Sequence, residues 1–240
     1  MSVAHPERAE WLARTRRTWN EYADGWSALH DALTEEHAAE LLRTVDVLGI
    51  GPGTRVLDAG CGPGQWAVAF AQAGAQVTVI DLAPAMLAHA TRRAERAGVR
   101  LQVREGDLIE QLAGGAATFD VIHCRCVLQF APDLAGVLRA FGRVLAPGGR
   151  LLTAVPGGLS PIYRNTYRRF LEPMTNNRVT PWELERLLAE LGWTVLEGWG
   201  AYRVAGNGEP NAFSEPDVLA LPLRLQQAAA TYWVSVAVGG

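Results

Sequence analysis

Asp58, the glycines at 60, 62 and 64, and a second acid at Asp81 are the residues of this 240-residue chain best suited to hold a ligand. They stand in VLDAGCGPGQWA (56–67) and QVTVID (76–81). Glycine loses more backbone entropy on folding than any other residue. A cluster after an apolar run therefore means a sharp turn or the close approach of another group. A Walker loop would need G-x-x-x-x-G-K-[ST], and no Lys or Ser/Thr stands at the required place. A dinucleotide fingerprint would need its third glycine at position 65, where Gln65 stands, and Pro63 and Trp66 suit a pyrophosphate poorly. A ligand with a ribose but no phosphate fits better. Asp81, 21 residues after Gly60, ends the next apolar segment, where a carboxylate can accept both ribose hydroxyls.

These residues need elements to position them. Residues 7–30 have helical spacing, with Leu12, Trp19, Tyr22, Ala23 and Trp26 on one face. Thr34 can cap a second helix whose first turn carries Glu35 and Glu36. From GPGT (51–54) onward the pattern alternates. RVLDA is a strand, QWAVAFAQAG a helix, QVTVID a strand, and Pro84–Ala97 a helix stopped by Gly98. VRLQVRE and FDVIHC are strands, 132–145 is a helix stopped by PGG, and RLLTAVP is a fifth strand. Thr180, Pro181 and Glu183 open a further helix with a capping box. WTVLEGWG and TYWVSVAV close the pattern as strands, with a short helix between them near 215–227. Strands alternating with helices, several of them continuously apolar, predict an α/β fold with a mostly parallel sheet covered on both faces. One domain over 1–240 is expected, with residues 1–48 as a helical cap and 157–179 as an irregular insertion.

Bulk properties exclude several classes. The net charge of −3 leaves no basic footprint for nucleic acid. No apolar run reaches the ~18 residues needed to cross a bilayer. Met1–Arg17 has no apolar signal core, so a cytoplasmic protein without membrane contact is expected, as monomer or homodimer. The three cysteines form no disulfide framework. Cys124 and Cys126 lie too close together for redox or zinc spacing, so no metal is expected.

Taken in order, VLDAGCGPG, VIDLAPAMLAHA, REGDL and FDVIHCRCVLQF followed by LRAFGRVLAPGGRLL resemble the class I S-adenosylmethionine-dependent methyltransferases. The resemblance is close over about 50–155 and extends to 180–240 only in element order. It implies a Rossmann-like, seven-stranded, mostly parallel sheet with an antiparallel last strand, and S-adenosyl-L-methionine as cofactor. Asp58 would hold the methionine amino group, with Gly60, Cys61, Gly62 and Gln65 around the methionine moiety. Asp81 would take the ribose hydroxyls, Leu82 and Met86 would pack on the adenine, and Asp107 with Leu108 would meet its amino edge. Cys124 would lie beside the methionine through its backbone. Trp19, Tyr22 and Trp26 would offer aromatic faces to the sulfonium, worth ~1–2 kcal/mol each when desolvated.

Methyl transfer is an in-line displacement and needs a base only if the acceptor must lose a proton. Relatives often carry VLxH where this chain has VLQF, so Phe130 replaces the obvious base with an apolar wall. His123 is expected to be buried and His30 and His37 solvated, which leaves no assigned catalytic residue. Tyr163, Arg164, Asn165 and Tyr167 are expected to line a small-molecule acceptor pocket, with Arg164 or Arg168 available to a substrate carboxylate. Two other readings stay open. One is an enzyme of this fold that cyclises or cleaves the aminobutyryl chain of the cofactor, and the other is a non-catalytic binder of it.

Overall fold

The computed structural model describes residues 7–31, 35–115, 118–163, 168, 171, 174–202 and 218–239. Its centre is a seven-stranded sheet: β1 (Arg55–Ala59), β2 (Gln76–Asp81), β3 (Leu101–Glu105), β4 (Phe119–Arg125), β5 (Leu145–Pro156), β6 (Trp193–Ala201) and β7 (Tyr232–Gly239). The spatial order is β3-β2-β1-β4-β5-β7-β6. β1 to β5 pair in parallel, and β7 runs antiparallel to both β5 and β6. Strand order reverses between β1 and β4, which opens a crevice beyond their carboxyl ends.

The inner strands are buried on both faces, β1 from Val56 to Ala59 and β2 from Val77 to Ile80, because helices cover each side. α3 (Gln65–Gln72) and α4 (Pro84–Ala97) follow β1 and β2. Trp66 and Phe70 of α3 and Leu87 and Ala90 of α4 pack with Val56, Val77 and Val121 on one face. α6 (Leu134–Val144) and α7 (Pro181–Glu190) build the other face, where Leu138, Phe141 and Leu188 meet Leu57, Ile122 and Leu151. The short helices α5 (Leu108–Gln111) and α8 (Leu223–Ala229) lie between strands. The Thr180–Glu183 capping box is present and starts α7 as its sequence predicts. β5 begins at Leu145, before the PGG segment, and its register with β4 shifts between Phe119 and Val121. PGG therefore ends no helix; α6 stops one turn earlier.

α1 (Arg8–Asp31) and α2 (Glu35–Leu48) precede the sheet. Thr34, the expected cap of α2, lies outside the described residues. α1 crosses two supports and turns a different face to each. Its first half lays Trp11 and Thr15 inward, with the Trp11 indole N–H donating to the Phe130 carbonyl at 2.7 Å. Its second half packs on α4 through Ala23 and Met86, and the Ala85 N–H donates to Asn20 Oδ1 at 3.1 Å.

Candidate functional site

The glycine loop is tied to the end of β2. The N–H groups of Gly60 and Cys61 both donate to the Ile80 carbonyl, at 2.7 and 3.2 Å. The Asp81 carboxylate then spans the crevice floor, accepting the Gly62 N–H on Oδ2 and the Ala83 N–H on Oδ1, each at 2.9 Å. Gly64 (φ +82°) has no room for a side chain, since a Cβ there would lie 2.6 Å from that of Ala90 on α4. A Cβ on Gly62 (φ +53°) would meet nothing within 4 Å except the Trp26 indole nitrogen at 3.9 Å. One glycine thus lets α3 and α4 close together, and the other keeps a bare backbone toward the crevice. Burial is the main cause that raises the Asp81 pKa to about 6, with the Asp58 charge adding to it and the backbone N–H bonds opposing.

A cleft opens over this floor. Gly60, Gly62, Asp81, Leu82, Met86 and Leu108 line its base, as expected from their positions. Asp107 lines it too, while also capping α5. Its Oδ1 accepts from the Ile109 and Glu110 N–H groups and pairs with Arg8 at 2.5 Å, which leaves Oδ2 for an outside donor. Trp19, Trp26 and Phe130 form a roof of edge-to-face rings. Their centroids are 5.6 Å apart for Trp19–Trp26 and 5.2 Å for Trp19–Phe130. Leu12 and Thr15 of α1 complete that wall. Thr15 lies one helical turn before Trp19 and Leu12 one turn before Thr15, so the helical period of 7–30 is the signal for them.

Several expected residues lie elsewhere. Tyr22 is 63% exposed and off the cleft. It falls on the stripe that α1 buries in its first half, but it sits in the half whose buried face has moved round to α4. The Cys124 side chain is enclosed in the core, which leaves only its backbone for the expected contact, and burial raises its thiol pKa, as it does that of Cys61. Tyr163 is buried away from the cleft and donates its hydroxyl to the Val179 carbonyl at 2.9 Å. That tyrosine ties the two ends of the 157–179 segment together instead of facing an acceptor. Arg164, Asn165 and Tyr167 lie outside the described residues, as do the side chains of His30 and His37. Arg168 is exposed.

Asp58 is buried beneath the loop and does not line the cleft. Its Oδ1 lies 2.8 Å from His123 Nδ1, and Trp66 and Phe70 enclose the imidazole, each with its ring centroid at 5.1 Å. Asp58 Oδ2 and, at the head of α3, Gln65 Oε1 are buried acceptors without a donor. Two residues further along β4, Arg125 pairs with Glu40 of α2 at 2.7 Å and borders the cleft together with Cys126. Cys126 is one of only two non-glycine residues with positive φ among those described, at +58°. Burial pushes its thiol pKa up to about 12, so it is no thiolate nucleophile. A lone Arg at a strand end carries no sequence pattern, which is why Arg125 was not singled out.

The sheet order places the glycine loop, Asp81 at the end of β2 and Asp107 just beyond β3 at one edge of an α/β fold. Residues 56–149 match the family model described as a methyltransferase domain. A ubiquinone biosynthesis O-methyltransferase from Methylocella silvestris is 37% identical over 138 residues, covering 50% of this chain and 54% of that protein. The chain thus spans about half the length of the curated relatives it matches. Two solved structures share the fold over nearly its whole length. Magnesium protoporphyrin IX methyltransferase from Synechocystis PCC 6803, with bound SAH, has a TM-score of 0.69 at 17% identity, covering 95% of this chain and 99% of that one. The [4+2]-cyclase SpnF has a TM-score of 0.70 at 16% identity, covering 100% and 99%. One fold therefore carries different chemistries, and activity has to be argued from the site.

Proposed function

We propose that the cleft binds S-adenosyl-L-methionine and that the protein transfers its methyl group to a small-molecule acceptor. The observation that carries this reading is Asp81, fixed by the Gly62 and Ala83 N–H groups on a floor roofed by Trp19 and Trp26. Two N–H bonds leave a carboxylate further lone-pair positions, enough for a pair of ribose hydroxyls. Leu82, Met86 and Leu108 offer apolar faces to an adenine, and Asp107 Oδ2 can accept from its amino group. Asp58 Oδ2 and Gln65 Oε1, buried acceptors behind the glycine loop, can serve the cationic end of the same ligand through a bridging water.

The cofactor supplies an electrophilic methyl on a positively charged sulfonium. The chain's own contribution is alignment and exclusion of water. Trp19, Trp26 and Phe130 close the cleft with rings that admit little solvent, and their faces, not their edges, attract positive charge. Among the described side chains no histidine lines the cleft, since His123 is buried against Asp58 and His89 faces Asp24 at 2.8 Å. Transfer therefore relies on an acceptor that is nucleophilic once held, with Phe130 as a wall. The likeness to proteins named O-methyltransferases supports a hydroxyl oxygen as the first acceptor class to try. The reading includes one domain capped by residues 1–48, a cytoplasmic setting, and acceptor contacts from the 157–179 segment.

The test is product analysis after incubation with S-adenosylmethionine and a panel of phenolic and aliphatic hydroxyl acceptors. Transfer yields S-adenosylhomocysteine and a methylated product in equal amounts. Methylthioadenosine instead would assign the protein to side-chain chemistry, and no turnover with tight binding would make it a sensor.

A further inference from the structure

Arg125 is a residue that the cofactor motifs do not explain. Its side chain is 7% exposed, at the carboxyl end of β4, the strand beside the glycine loop. Trp66 and Tyr232 lie against the guanidinium, with ring centroids at 5.1 and 5.5 Å. Glu40, itself 10% exposed, pairs with Nη1 at 2.7 Å. Nη2 is buried and has no hydrogen-bond partner. A buried ion pair rarely stabilises more than apolar packing of the same volume, and an orphaned guanidinium nitrogen adds a penalty. As a strut for α2 alone, this arrangement is a poor one. Yet the residue borders the cleft, next to Gly60 and Cys126.

We propose that Arg125 is the carboxylate-binding residue of this site, with Nη2 as the donor and Glu40 holding the guanidinium in place. The proposal rests on the S-adenosylmethionine reading of the cleft. Guanidinium matches carboxylate geometry, and its five N–H donors allow it to serve two carboxylates at once. Added negative charge beside the Arg125–Glu40 pair is offset by the positive groups of the bound cofactor. Position points the same way. Asp81 and Asp107, at the ends of β2 and β3, occupy one end of the cleft, and Arg125 marks the opposite side, toward β5 and β7. A carboxylate arrives there from one of two sources, the amino-acid end of the cofactor or an acidic acceptor.

Calorimetry on Arg125→Met and Arg125→Lys separates them. S-adenosylhomocysteine carries the amino-acid carboxylate, and methylthioadenosine has the same nucleoside thioether without it. If the carboxylate is the cofactor's, both variants lose at least tenfold in affinity for S-adenosylhomocysteine and stay within twofold for methylthioadenosine. If it is the acceptor's, both nucleosides bind normally. Benzoate then binds the wild-type S-adenosylhomocysteine complex, benzamide does not, and the variants lose benzoate. Variants that keep wild-type affinity for S-adenosylhomocysteine, with no benzoate binding lost, overturn the proposal. Arg125→Lys retains the charge for Glu40 and decides the matter if Arg125→Met does not fold. A wild-type protein that binds neither nucleoside would instead refute the cofactor reading itself.

Discussion

At the scale of single residues, the account turns on Asp81. A carboxyl whose pKa is raised to about 6 in the folded chain, against ~3.9 when unfolded, is a cost in its ionised form. Its contribution to folding stability is present below about pH 4 and is lost as pH rises through 6. Ribose hydroxyls donate to the ionised form, so ligand binding releases the proton that the empty site retains. Affinity for S-adenosylhomocysteine should therefore rise about tenfold between pH 5 and pH 7.5, the fraction ionised at pH 5 being about one in eleven for a pKa near 6. Calorimetry across that range checks it, and Asp81→Asn should flatten the profile at weaker affinity. Asp81 and the glycines were legible because their spacing from a strand end is itself the signal. Tyr163 was misplaced because an irregular, aromatic-rich run has no period to say which side chains face inward. Its surroundings come from far along the chain, the Val179 carbonyl 16 residues away and the Arg178 guanidinium over its ring.

At the scale of elements, α1 is the part that makes the crevice a closed cleft. It supplies Leu12, Thr15, Trp19 and Trp26 to the wall. Polar contacts hold it at intervals along its length: Arg8 to Asp107, Arg16 to Glu105, Asp24 to His89 and Asp31 to Arg93. Surface pairs of this kind are worth little singly, so the indole rings carry most of the docking. Trp26→Ala should weaken S-adenosylhomocysteine binding by about tenfold, ~1.4 kcal/mol, the scale of one desolvated aromatic contact. Tyr22→Ala, which removes an exposed ring four residues earlier, should leave binding within twofold. Titration of the two variants side by side is the check, and equal losses would mean that α1 sits differently over the ligand. The helix itself was legible from its spacing. Its two-faced docking was not, because a single stripe is expected of a helix that rests on one surface, and α1 rests on two.

At the scale of the molecule, the strand order places every motif at one edge. β1 sits between β2 and β4, so the glycine loop, Asp81, Asp107 and Arg125 all reach the crevice from consecutive strand ends. That arrangement could be read from alternating strands and helices, since right-handed crossovers between parallel strands leave few other topologies. The chemistry is less fixed, as the shared fold of a methyltransferase and a [4+2]-cyclase makes plain. Among the described residues no helix is long and apolar enough to cross a membrane, and no group of three metal-ligating side chains is present. The central claim is then that this crevice holds a nucleoside bearing an amino-acid side chain, gripped at its ribose by Asp81. Its most direct test is calorimetric titration of the wild-type protein and Asp81→Ala with S-adenosylhomocysteine and, separately, with NAD. The account predicts that S-adenosylhomocysteine binds the wild type far more tightly than NAD, and that Asp81→Ala weakens it by ~1.5–3 kcal/mol, the scale of a hydrogen bond to a charged group. Tight NAD binding, or an Asp81→Ala protein that binds S-adenosylhomocysteine as the wild type does, would contradict it.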